Sequence, residues 1–304
     1  MKKIVFFMLM VSLAVGCSKS GSVNLTIASY NIRYENNRDY AAGNGWDIRY
    51  PYICSILRYE SPDIFGAQEV LHDQLEDMKT VLPAYDCVGV GRDDGKEKGE
   101  YEPIFWKKDR FTLKDKGWFW LSETPDSAGL GWDAACIRIC TWTLLKEKES
   151  GRMIRFFNMH MDHVGVVARR ESAKLIVAKV QELCKDGEQV FITGDYNVDQ
   201  NNEIYDIFSA VLDDSYVTAL DRHEPDGSFN GFDPDNFTES RIDHIFTTRG
   251  TKVYNYAVLT ETYRSEVAGA ENFRTGDFPQ ELSFKRYRAR VPSDHFPVFI
   301  KVEI

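Results

Sequence analysis

The stretch VFITGDYNVDQ (Val190–Gln200) decides how this chain is to be read. An apolar run ends abruptly on Gly194 and Asp195, with Asn197 two positions further on. Side chains alternate along a strand, so positions two apart share a face. Asp195 and Asn197 therefore project together from the end of a buried strand. A carboxylate paired with an amide suits a hard cation or a phosphate. Gly, Asp and Asn are also ordinary turn residues. The rest of the chain has to separate these readings.

The same punctuation recurs at other strand ends. LTIASYNIR (Leu25–Arg33) carries Asn31, and SPDIFGAQEV (Ser61–Val70) carries Glu69. MIRFFNMHM (Met153–Met161) carries His160, with Asp162 and His163 just beyond, and RIDHIFTT carries Asp243. Asp294 and His295 directly precede FPVFIKVEI. Ligands bind where strand ends and their loops converge. One such residue reads as a turn or a satisfied histidine; the recurrence along one chain points to a site. His244 adjoins Asp243 within a strand and faces the other way, and His72 and His223 read as structural or solvated.

Between these strands lie helical patterns. WDIRYPYICSILRYE spaces Ile53, Ile56 and Leu57 for a helix, with Pro51 early in it. Leu71, Leu75, Met78 and Leu82 mark a second helix. A third, from Val166, sets Ala173, Ile176, Val177, Val180, Leu183 and Cys184 on one face, with Gly187 suited to its end. Two strand–helix–strand units flank intervening strands in PIFWKKDRFTLKDKGWFWLS and CIRICTWTLLKE. The pattern is α/β, with two mixed sheets packed together and covered by helices, over residues 23–304.

The chain has 304 residues, 43% hydrophobic and 13% aromatic, with net charge −10. It can bury a large core. Its acidity argues against loose charge-driven binding to nucleic acid or anionic membrane. MKKIVFFMLMVSLAVGC reads as a secretory leader. LAVGC resembles a lipobox, with Ala14 where Leu is more usual. This implies a signal peptide over 1–16, lipidation of Cys17, a tether over 17–22 and a bacterial cell-envelope lipoprotein. The remaining cysteines, Cys54, Cys87, Cys136, Cys140 and Cys184, are odd in number. They match no zinc spacing and read as core residues, Cys136 and Cys140 within one strand.

Taken in order, IASYNIR, GAQEV, FNMHMDHVG, ITGDYNV, RIDHIF and PSDHFPV resemble the motifs of the endonuclease/exonuclease/phosphatase superfamily. That group, with the deoxyribonuclease I-like fold, spans nucleases, inositol phosphatases, neutral sphingomyelinases and deadenylases. GEYEPIFWKKDRF, WFWLSETPD, GWDAA and RICTW resemble its exported bacterial lipoprotein members. The resemblance implies a four-layer α/β sandwich and a divalent-metal-dependent phosphoesterase using Mg²⁺, or Mn²⁺ in its place. It implies metal ligation by Glu69, Asn31 (through its amide oxygen) and Asp294. It implies catalytic roles for His295, with Asp243 holding its ring, for Asp195 as rival base, for Asn197 on a phosphate oxygen, and for His160 as donor. In abasic-site enzymes an acid stands where Arg33 stands here.

Arg33, Glu100, Tyr101, Arg138, Asp162 and His163 are candidates for contact with a phosphorylated substrate. Asp162 reads equally as a helix cap. FKRYRAR (Phe284–Arg290) reads as a solvated loop or a substrate contact, and the stretch from Tyr263 as a lid. A small phosphorylated molecule is the favoured substrate, nucleic acid and sphingomyelin the alternatives. A non-catalytic envelope binding lipoprotein is the alternative of another class. Nothing in the chain sets an oligomeric state.

Overall fold

The computed structural model describes residues 22–223, 227–273, 276–277 and 279–304. The leader, Cys17 and the tether through residue 21 lie outside them. The elements run β1 (Asn24–Asn31), α1 (Asn37–Ala41), α2 (Trp46–Glu60), β2 (Ile64–Gln68), α3 (His72–Val81), β3 (Tyr85–Val88), β4 (Ile104–Lys107), β5 (Phe111–Trp120), β6 (Ile139–Glu147) and β7 (Met153–His160). There follow α4 (Val166–Leu183), β8 (Gln189–Asp195), α5 (Glu203–Ser209), β9 (Asp213–Asp214), α6 (Ser215–Thr218), β10 (Asp221–His223), β11 (Asp243–Thr247) and β12 (Lys252–Val258). The short strands β13 (Tyr263–Glu266), β14 (Asn272–Phe273), β15 (Phe284–Lys285) and β16 (Tyr287–Arg290) precede β17 (Val298–Glu303).

Two large mixed sheets result, ordered β10-β12-β17-β1-β2-β4-β3 and β5-β6-β7-β8-β11-β9. The two strand–helix–strand units are parallel pairs, β1 with β2 and β7 with β8. Alternation divides each strand between two cores. Ile27, Ile64, Phe156 and Phe191 meet between the sheets. Their neighbours Ala28 and Phe65 turn toward α2 and α3, where Ile53, Cys54, Leu57, Leu75 and Met78 are buried. Phe157 and Ile192 turn the other way, under Ala173, Ile176 and Val180 of α4 and Ile204 and Phe208 of α5. Helix, sheet, sheet and helix form four layers, as the sequence leads one to expect.

A polar seam crosses the otherwise apolar space between the sheets. Asn158 of β7 donates to the Ala67 and Pro103 carbonyls at 2.7 and 3.0 Å. Its Oδ1 accepts from Gln68 Nε2 at 2.6 Å and from Thr193 Oγ1 at 3.0 Å. All three side chains are fully buried. Buried polar groups are tolerated when paired, and paired ones fix a single register. Gly66 makes room for them: a Cβ there would lie 2.2 Å from Asn158 Oδ1. The seam locks the two sheets together directly beneath their site-bearing ends.

Some local expectations change. Cys136 lies outside β6, which begins at Ile139, so the strand shared by Cys136 and Cys140 does not form. All the described cysteines are free; Cys54 and Cys140 are buried, while Cys87, Cys136 and Cys184 are only partly so. Helix α4 ends at Leu183 with an extended cap at Cys184, and Gly187, at φ +85°, serves the turn into β8 instead. The stretch from Tyr263 folds into two small hairpins, β13 with β16 and β14 with β15.

Candidate active site

The site begins as a row across one sheet. His160 pairs in register with Asp195, and Asp195 with Asp243. Directly opposed residues share a face, so one imidazole and two carboxylates stand side by side. From the other sheet, β1 delivers Asn31 and β2 runs into Glu69. The segment before β17 crosses over with Asp294 and His295, tied to the β1 end by Ser293 Oγ on the Asn31 carbonyl at 2.7 Å.

Asp195 is the hub. Its Oδ2 accepts from Asn31 Nδ2 at 3.1 Å and lies 3.5 Å from His160 Nε2 and 3.7 Å from His295 Nε2. Its Oδ1 accepts the Asn197 backbone N–H at 2.9 Å. The turn reading of GDYN holds, and the turn aims the Asp195 carboxylate at the cleft. Asn31 Nδ2 also donates to Glu69 Oε1 at 3.0 Å. His295 Nδ1 binds Asp243 Oδ2 at 2.8 Å, and Ser228 Oγ donates to the same oxygen. Arg33, Glu69 and Asn197 all adopt left-handed backbone, at φ 62°, 60° and 51°. Such conformations cost energy outside glycine and gather at functional sites.

The electrostatics follow from burial and crowding. Burial, then repulsion from Asp243, pushes Asp195 up to about 7. Burial opposes charge on His295, but Asp243 and Asp195 outweigh it and hold the ring up to about 10. Burial drives His160 the other way, well below its ordinary value, helped by Arg138 and Arg92. The site so holds a charged His295, a neutral His160 and a carboxylate with unusual proton affinity. Asp294 is likewise raised by burial, with His295 opposing and Glu69 adding.

A cleft of about 650 Å³ opens over these groups. Arg33, Glu69, Glu100, Arg138, His160, His163, Asp195, Asn197, Asp294 and His295 line it, as expected from the sequence. Asn31 and Asp243 stand behind them. Arg33 Nε pairs with Asp39 at 2.9 Å, and its Nη1 lies 3.6 Å from Asp294 and 3.8 Å from Glu69. Arg49, fully buried beneath, donates to the carbonyls of Ile32, Arg33, Asn44 and Pro292 and so ties the loop after β1 to the segments before α2 and β17.

Several expected roles need correction. Tyr101 does not line the cleft; it is buried, and its hydroxyl meets His72 Nδ1 at 3.1 Å. Asp162 is also turned away. Its carboxylate accepts the Val164, Gly165 and Cys136 backbone N–H groups, the loop-capping alternative. Those bonds outweigh burial and hold it down to about 2. Asn31 turns its NH₂, not its oxygen, toward Glu69 and Asp195; the oxygen accepts the Arg33 N–H at 3.0 Å. Asn197 spends both amide hydrogens on His160 Nε2 at 2.9 Å and the Met161 carbonyl at 3.0 Å, so it orients His160. His160 Nε2 is therefore an acceptor here, which puts the proton of the neutral ring on Nδ1, buried without a hydrogen-bond partner. Among the described residues, none between Tyr263 and Arg290 lines the cleft, and the basic segment Phe284–Arg290 is not a wall of it. His244 is structural as expected, bound to the Val198 carbonyl at 3.2 Å.

Other residues escape the sequence reading. Arg92, Phe229 and Phe232 line the cleft. Glu102 lies behind it, fully buried with neither carboxylate oxygen bonded. Burial and then Glu100 raise it well above the usual carboxylate range. One ligand atom each of Glu100, Glu102 and His160 falls within 4.8 Å of the others. Arg92 sits in GRDDGKEKGE, which reads as a solvated glycine-rich loop and gives no signal.

Comparison with known proteins completes the picture. The residue profile of the Endonuclease/Exonuclease/phosphatase family matches residues 28–295. A crystal structure of a family protein from Bacteroides thetaiotaomicron is 48% identical, with TM-score 0.86, covering 93% of this chain and 98% of that one. A mannosyl-6-phosphatase from Bacteroides thetaiotaomicron VPI-5482 is 49% identical, with TM-score 0.84, covering 91% and 99%. A Bacteroides vulgatus family protein is 36% identical, with TM-score 0.78, covering 93% and 99%. The chain belongs to the endonuclease/exonuclease/phosphatase family, whose members hydrolyse phosphoester bonds.

Proposed function

We propose that this protein is a divalent-metal-dependent phosphomonoesterase acting on a small phosphorylated sugar. The observation that carries the reading is the convergence of Glu69, Asp195 and Asp294 beside a charged His295 in one cleft. Similarity to a mannosyl-6-phosphatase supports the substrate class.

The residues fit a hard cation. Glu69 and Asp294, each largely buried, bring a carboxylate apiece to the cleft, and burial raises the proton affinity of Asp195 and Asp294. Mg²⁺ takes one or two carboxylates with waters and a substrate phosphate; Mn²⁺ accepts the same donors. Glu69 and Asp294 would hold it, with Asn31 fixing Glu69 from behind. Bound there, the cation would offset phosphate charge and acidify water.

The chain's own groups do the rest. A general base must reach the proton it takes. Asp195, oriented by Asn31 and the Asn197 N–H at the floor of the cleft, takes the proton of the attacking water as the water oxygen bonds to phosphorus. The ester P–O bond breaks and the electrons leave with the alcohol oxygen, which is protonated from solvent. His295, kept cationic by Asp243, stabilises charge on the phosphoryl oxygens. Arg33 and Arg138 supply further donors. The cell-envelope location and the Cys17 anchor are proposals too, supported by LAVGC; radiolabelled palmitate incorporation, lost in Cys17→Ala, tests them.

The decisive experiment measures phosphate release and ester cleavage with sugar phosphates, inositol phosphates, nucleotides, DNA, RNA and sphingomyelin, with Mg²⁺, with Mn²⁺ and with chelator. Metal-dependent release from a sugar phosphate is expected. Cleavage of a diester alone would overturn the monoesterase reading, and turnover in chelator would overturn the metal.

A further inference from the structure

Arg92 and Glu100 form an ion pair in the cleft wall beside His160. Arg92 Nη1 meets Glu100 Oε2 at 2.7 Å, and its Nε, buried without a hydrogen bond, lies 3.9 Å from Asp93 Oδ1. The loop that carries them is firmly held. The Arg92 N–H donates to the Glu100 carbonyl at 3.0 Å, and Trp120 Nε1 donates to the Arg92 carbonyl at 2.7 Å. The next residue, Tyr101, is pinned by its N–H to the Val70 carbonyl at 2.7 Å. Phe229 lines the same cleft, 46% exposed, its ring 5.1 Å from that of His295. The Ser228 and Asn230 backbone is bonded to Phe296 and Asp294, so Phe229 rides on the segment that carries the catalytic histidine.

Among the cleft arginines Arg92 makes the shortest carboxylate contact, 2.7 Å to Glu100. The charge of Arg92 is already balanced by Glu100. The pair instead presents a rigid donor edge next to an acceptor edge, with little net charge. Neighbouring hydroxyls of a sugar, each both donor and acceptor, match that edge. An aromatic face in the same cleft suits the C–H side of the same ring. We infer that Arg92 and Glu100 read the hydroxyls of the substrate's leaving group while Phe229 packs against its ring, which makes Arg92 a specificity-determining residue. This rests on the phosphomonoesterase reading above and extends it to the part of the substrate that does not react.

The test compares a hexose 6-phosphate with cyclohexylmethyl phosphate, its hydroxyl-free counterpart, in the Mg²⁺-loaded full chain. A site that hydrogen-bonds a substrate hydroxyl rejects the analogue lacking it by on the order of 10³-fold or more in kcat/KM. Arg92→Met is expected to cut that preference at least about tenfold, mostly through KM for the sugar. Arg92→Lys, which keeps the charge opposite Glu100 but loses the planar fork, guards against a folding defect and is expected to lose most of the preference as well. A preference unchanged in folded Arg92→Met or Arg92→Lys overturns the inference. So does a wild type that turns over both esters equally well, although the phosphomonoesterase reading then survives. A wild type inactive on both, yet active on a diester, overturns that reading and this inference with it.

Discussion

His295 Nε2 lies 3.7 Å from Asp195 Oδ2, with Asp243 held on the opposite ring nitrogen at 2.8 Å. One imidazolium thus stands between two carboxylates that the sheet register places directly opposite each other. Like charges so placed repel. His295 relieves the repulsion, and in return its charge is held far above neutral pH. The following expectations test this arrangement and the groups around it.

Asp195→Asn keeps the bond to the Asn197 N–H but removes the proton acceptor. Turnover is expected to fall by about 10³-fold or more, with the melting temperature kept. A variant retaining a tenth of wild-type kcat would remove Asp195 from the role of base.

His295 carries the pH signature. Its folded-state pKa, about 10, lies above the ordinary 6.5. Its contribution to stability is therefore full below 6.5 and lost as pH rises through 10. Asp195, raised to about 7 from 3.8, acts in the same direction at lower pH, its share fading as pH rises from 3.8 through 7. Urea unfolding in chelator should show stability falling between pH 6 and pH 10, by about 2 kcal/mol or more. Asp243→Asn should flatten the upper part of that fall and bring the His295 ring titration, followed by NMR, down by several units.

Glu69→Gln separates metal binding from folding. Wild type in Mg²⁺ at 100 times its dissociation constant gains about 2.7 kcal/mol, a shift of several degrees in melting temperature. The variant should melt at the same temperature with and without Mg²⁺. An undiminished shift would place the cation elsewhere.

Arg49 is a structural tie with a catalytic consequence. Arg49→Met takes the guanidinium donor from the Ile32, Asn44 and Pro292 carbonyls in a buried setting, while the Arg33 carbonyl keeps Gln74 Nε2 at 3.1 Å. Each lost partner costs about 1 kcal/mol or more, so a loss of roughly 3 kcal/mol is expected by denaturant titration. kcat should fall too, because Arg33 and Asp294 lose the anchor of their loops. A stable variant with normal kcat would show that the loops hold themselves.

Asn158→Leu probes the seam between the sheets. It removes a partner from Gln68, Thr193 and the Ala67 and Pro103 carbonyls together, leaving Gln68 only Ser29 Oγ, Thr193 only the Phe157 carbonyl and Pro103 only the Ala67 N–H. A cost of about 3 kcal/mol or more is expected, with loss of activity even where the protein remains folded. Thermal melting and phosphate release read on one sample decide it.

Much of this was legible in the chain. Alternation in MIRFFNMH and QVFITGD, and helical spacing from Trp46 and from Val166, are local patterns that survive folding because one face of each element must be buried. They were enough for two packed sheets under helices. The polar residues that end those strands stood out because a buried strand has no other use for Asn31, Glu69, His160, Asp195 and Asp243. The order of the motifs then pointed to the family.

What the sequence determined was therefore the elements, their layering and the chemical types brought to the strand ends. Tertiary structure alone decided which of those groups face the cleft and what each one touches. Asp162 and Tyr101 flank true cleft residues yet turn away, because backbone N–H groups and His72 offer them nearer partners. Asn197 serves His160, because only the folded register puts that ring within 2.9 Å of its amide. Arg92 enters the wall because Glu100 and Trp120 hold its loop there. Such choices depend on distances between segments far apart in the chain, and no periodicity records them.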